Sequence, residues 1–140
     1  MVKWEKVVHE FNKIKQQLGN PPVSLVDQQT FKELTGVGLN NYVGRYGWYV
    51  DSFGNIYYII TLRYRKRTIP QIKKTIYHEI AHILFPSKPH WWIECFAEKL
   101  SGCKGYKHWA TKYNHSTKDL PSRKKLIELA IKASKRLNSK

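Results

Sequence analysis

The sequence predicts an α+β fold, a short β-sheet packed on helices, and three observations lead there. Apolar residues recur at three and four near both ends and in the second half of the chain, the period of amphipathic helices. The stretch 44–66 is instead rich in aromatic and β-branched residues, interrupted by Asp51, Ser52, Phe53 and Gly54, which is the pattern of a hairpin. With 140 residues, 41% of them apolar and 14% aromatic, there is material for one packed core, so a single domain over 1–140 is expected.

Taken in order, Trp4, Val7, Val8, Phe11, Ile14 and Leu18 form the apolar stripe of a first helix that stops at Gly19. A short helix is expected around Asp27 to Leu34, then a loop rich in Gly and Asn, completing a helical N-terminal part over 1–43. The hairpin over 44–66 follows and supplies the sheet. Thr68 and Gln71 have capping-box spacing with Pro70 in the first turn, so a helix begins there and runs through Ile72, Ile76, Ile80 and Leu84 until Pro86. A second helix opens after Pro89 and closes at Gly102; together this pair occupies 68–102. A long polar and aromatic loop leads to Pro121 and a last, lysine-rich helix over 121–138, with Leu126, Leu129, Ala130, Ala133 and Leu137 on one face.

Composition narrows the function classes. Cys95 and Cys103 are the only cysteines and form no CxxC pair, which excludes a zinc ribbon or a disulfide framework. No apolar run approaches the length of a membrane span and the N-terminal stretch lacks a signal-peptide core, so a soluble, cytoplasmic protein without a membrane partner is expected. A formal charge of +15 favours anionic partners. Arg63, Arg65, Lys66 and Arg67, the pair Lys73 and Lys74, and the last helix are the candidate phosphate-binding surface for non-specific nucleic-acid contact.

The chemistry is concentrated in the helix pair. His78 and His82 stand four apart, so on a helix both rings reach one metal ion, and Glu79, offset by one residue, points beside it, where a carboxylate can take a proton from an activated water. This is the H-E-x-x-H pattern, and it falls on a helix predicted independently. Zinc in a catalytic site needs a third protein ligand. His90, Glu94 and Glu98 follow at four-residue spacing on one face of the next helix and are the candidates.

His78 to His82 followed by "PHWWIECFAEKLSG" resembles the gluzincin metallopeptidases of the peptidase MA-like group, a minimal zincin. Pro89, Trp91, Trp92, Glu94, Phe96, Ala97, Glu98, Leu100 and Gly102 stand in the register of that family's second motif. The resemblance spans roughly Asn55 to Gly102, and Cys95 stands where the family has Gly. It implies a zincin-like fold, one zinc ion per chain held by His78, His82 and Glu94, Glu79 as general base, and Glu98 supporting a histidine from behind. His90, in the first turn after Pro89, is then the alternative ligand. A weaker similarity is to the SprT-like proteases, which act on DNA-bound proteins and take their third ligand at the position of His90.

The expectation is therefore a zinc metallopeptidase that hydrolyses peptide bonds in a peptide or protein substrate. Tyr106, His108, Tyr113 and His115, in the loop after the second helix, are the candidates for stabilising the oxyanion. The rival is a basic nucleic-acid-binding protein with a non-catalytic zinc site, and Glu79 separates the two, since a structural site has no need of a general base.

Overall fold

The computed structural model describes residues 1–104 and 115–140. The fold is mixed α+β, a three-stranded sheet with five α-helices among the described residues. In chain order these are α1 (Trp4–Gln17), β1 (Val23–Leu25), α2 (Gln28–Thr35), β2 (Gly44–Val50), β3 (Ile56–Leu62), α3 (Ile69–Leu84), α4 (His90–Ser101), a 3-10 turn (Thr117–Asp119) and α5 (Arg123–Asn138). None of the helices is long and apolar enough to cross a membrane.

The helix signals read from sequence operate as local chemistry. Thr68 accepts from the Gln71 N–H and Gln71 returns a bond to the Thr68 N–H, the reciprocal pair that starts α3. Asp27 caps α2 with a single bond, its Oδ1 accepting from the Thr30 N–H. Gly102 ends α4 at φ 73°, a left-handed conformation that a β-carbon would strain.

The sheet order is β1-β3-β2, with β1 parallel and β2 antiparallel to β3. β1 lies inside a stretch read from sequence as helix and loop. Three residues are too few to show a period of two, and their partner lies more than thirty residues further on. Strand alternation gives the sheet two different faces. Gly44, Tyr46 and Trp48, opposite Leu62, Ile60 and Tyr58, face α3, while Gly47, opposite Ile59, faces Phe31 and Thr35 of α2. The main core lies on the α3 side, where Ile60, Leu62, Ile72, Ile76, Ile80, Ile93, Phe96 and Leu126 are all but fully buried.

Buried apolar contact on several sides fixes α3 as the central element, with α1, α4, α5 and both hairpin strands against it. The closest approach is at Gly44, where a β-carbon would run into Thr75 Cγ2 and lie 3.3 Å from Glu79 Oε2. Glycine there lets the edge strand rest directly on the helix turn that carries Glu79. The hairpin's far end stands clear of the body, with Trp48 57%, Val50 56% and Phe53 88% exposed.

Candidate metal centre

His78 and His82 project from one face of α3, as their spacing dictates, and the turn between Phe85 and Pro89 brings the start of α4 back beside them. The Nε2 atoms of His82 and His90 lie 3.1 and 3.2 Å from Nε2 of His78. The three ligand atoms lie within 4.8 Å of one another, and the two separations from His78 are close to the ~3.3 Å that zinc–nitrogen bonds of 2.0–2.1 Å impose in a tetrahedral set, so the cluster could hold a metal ion. Among the described residues, His78, His82 and His90 form the one cluster of ligand-type side chains with this geometry. Burial, with the neighbouring charges of His78 and His90, brings the pKa of His82 down to about 4. The neutral ring, the form that ligates, is thereby favoured.

Glu94, expected to be the third ligand, is placed otherwise. Its Oε2 lies 2.7 Å from Nδ1 of His78, and its Oε1 is bonded to the ammonium of Lys74. It therefore stands behind His78, on the ring nitrogen that points away from the cluster. In the neutral His78 ring, donation from Nδ1 leaves the Nε2 lone pair facing His82 and His90. Despite a burial that would raise it, the hydrogen bond from His78 and the charge of Lys74 hold the Glu94 carboxyl at about 2. Glu98, which the resemblance placed behind a histidine, has its Oε1 3.8 Å from Lys74.

Glu79 is buried, on the turn beneath Gly44, and opens toward the same groove as the three histidines. Burial pushes its carboxyl up to about 7, with His78 and Arg45 pulling down and Glu94 adding to the rise. A carboxyl balanced near neutrality is suited to accepting and returning a proton.

The groove, about 740 Å³, runs between this helix face and the outer side of β2. Tyr46 stacks on His82, ring centres 4.8 Å apart and nearly parallel, and Arg45 donates to the Gly38 carbonyl at 2.9 Å on the groove wall. Among the described residues β2 pairs with β3 alone, which leaves its other edge without a strand partner there.

Some groove residues were not singled out from sequence. Arg45 and Tyr46 carry no metal-ligand signature, although the alternation in "RYGWYV" does put Tyr46 and Trp48 on one face. Of the expected oxyanion candidates, Tyr106, His108 and Tyr113 lie outside the described residues. His115 is stacked on Trp91 at 3.7 Å with Nδ1 3.4 Å from Asp119 and does not line the groove.

The basic surface is also redistributed. Lys74 is turned inward to Glu94, Arg63 donates to the carbonyls of Asn40 and Tyr42, and Arg67 donates to Arg63, Gln71 and Thr75. Arg65 and Lys66 remain exposed, as do Lys124, Lys125, Lys132, Lys135 and Arg136 on the outer face of α5.

Comparison with protein families, with curated proteins and with solved structures returns no match.

Proposed function

We propose that this chain is a zincin-type peptide hydrolase in which His78, His82 and His90 hold a zinc ion and Glu79 is the general base. The observation that carries the reading is the convergence of three imidazole nitrogens in one groove with a buried carboxyl from the same helix. A zinc ion bound there would supply Lewis acidity, activating water and polarising the scissile carbonyl. Glu79 takes the proton of the attacking water and returns it to the leaving amine, and its burial keeps both protonation states within reach near neutral pH. A purely structural ion would need the histidines but not this carboxyl.

The strand wall suits an extended polypeptide. Unpaired backbone groups of β2 can hydrogen-bond a peptide laid alongside as an added strand, and Tyr46 and Trp48 offer it apolar contact. A narrower reading follows from the third ligand: His90 is the position that SprT-like proteases use, and with a charge of +15 it favours substrates attached to nucleic acid.

The test is cleavage of an unfolded protein by the zinc-loaded chain, with Glu79→Gln as the comparison. The variant is expected to keep zinc and fold while cleaving at least about 100-fold more slowly. Equal cleavage by the variant would refute the assigned base. A zinc-loaded wild type that leaves a mixed peptide library intact would favour the non-catalytic site.

A further inference from the structure

Glu94 has two carboxylate oxygens, and each has its own partner. Oε2 faces Nδ1 of His78 and Oε1 meets Nζ of Lys74. Lys74, His78 and His82 follow at four-residue intervals on one face of α3, so the cation, the backed histidine and its neighbour are successive steps along one helix. The Lys74 side chain is 16% exposed and that of Glu94 11%, a largely desolvated pair that needs its geometry satisfied. Glu98, one turn beyond Glu94, places a second carboxylate 3.8 Å from the same ammonium.

We infer that Lys74 is a positioning residue for the metal centre: by holding one oxygen of Glu94 it keeps the other on His78, and so aims Nε2 of His78 at His82 and His90. This rests on reading the three-histidine cluster as a metal site. The physical case is one of competing roles for a single carboxylate. Glu94 is one turn along α4 from His90 and close enough to touch His78, so a carboxylate relieved of Lys74 is free to turn toward the ion. Without the cation, Glu94 and Glu98 also repel each other across one helical turn. Lys74 removes both tendencies at once. It determines whether Glu94 backs a ligand or becomes one, and the sequence pattern around Glu94 is compatible with either.

The inference predicts an effect that travels through Glu94. Metal-free protein is titrated with Co²⁺, following the d–d absorption, and with Zn²⁺ against a chromophoric chelator. Wild type is expected to take up one equivalent of either ion. Lys74→Met is expected to bind about 10- to 100-fold more weakly with a changed cobalt spectrum, and Lys74→Arg to restore both. In a Glu94→Gln background, Lys74→Met is expected to have no further effect, since its route is already cut. A thermal melt checks each fold, and Lys74→Gln replaces Lys74→Met should the latter not fold. Wild-type affinity and spectrum in Lys74→Met or Lys74→Gln would overturn the inference. So would an equal loss with and without Glu94, which would mark Lys74 as merely structural. Failure of the wild type itself to bind either ion would overturn the metal reading, and this inference with it, a result visible before any variant is made.

Discussion

The two walls of the groove differ in almost every physical respect. The helix wall, α3 with the start of α4, carries Glu79 and Glu94 at 6% and 9% exposure, with Glu94 held by Lys74 and His78. The strand wall, β2, presents Trp48 and Val50 largely to solvent and Tyr46 in part, and this face carries no Lys, Pro or acidic residue of the kinds that protect an edge from pairing. Buried charges held in fixed geometry suit the making and breaking of bonds. An open, apolar edge suits the holding of a chain. Under the proposed function, chemistry belongs to one wall and recognition to the other, and variants of each wall should separate in kinetics accordingly.

The largest effect belongs to the helix wall. Glu79→Gln should lower kcat by about 100- to 10,000-fold with KM little changed, measured on a fluorogenic peptide with zinc content checked in parallel. A change confined to KM would break the division between the walls. Next comes the seam where they meet. Gly44→Ala puts a β-carbon into Thr75 and against Glu79, so it should cost about 1–3 kcal/mol of stability by chemical denaturation. It should also lower activity, because strand and base can no longer approach as closely; unchanged stability and activity would mean that the contact is easily relieved. The smallest effect belongs to the strand wall. Trp48→Ala should raise KM several-fold for peptides with apolar side chains and leave kcat within about twofold. A matching fall in kcat would give Trp48 a part in the chemistry.

How much of this was legible in the sequence follows the same division. α3 was marked by Thr68, Pro70 and Gln71, and α4 by Pro89 and Gly102, all acting locally, through capping bonds or backbone angle within one turn. His78, Glu79 and His82 were legible because helical spacing alone places them together. Which side chain of α4 stands beside His78 and His82 was not, because His90, Glu94 and Glu98 share a helix face and spacing cannot rank them. On the inference drawn above, the choice depends on Lys74, whose bond to Glu94 joins residues twenty apart in sequence on two different helices. β1 was hidden by its length, and the groove's far wall by the lack of any titratable signature on Tyr46 and Trp48.

The assignment that everything else depends on is the three-histidine set, and comparing His90→Ala with Glu94→Ala in a zinc titration decides it. With wild type binding one equivalent, His90→Ala should lose stoichiometric zinc, because a ligand is gone. Glu94→Ala should retain the equivalent at about 10- to 100-fold lower affinity, because only the backing of His78 is gone. The opposite order, with zinc lost in Glu94→Ala and kept in His90→Ala, would return Glu94 to the metal and contradict the geometry described for His78, His82 and His90.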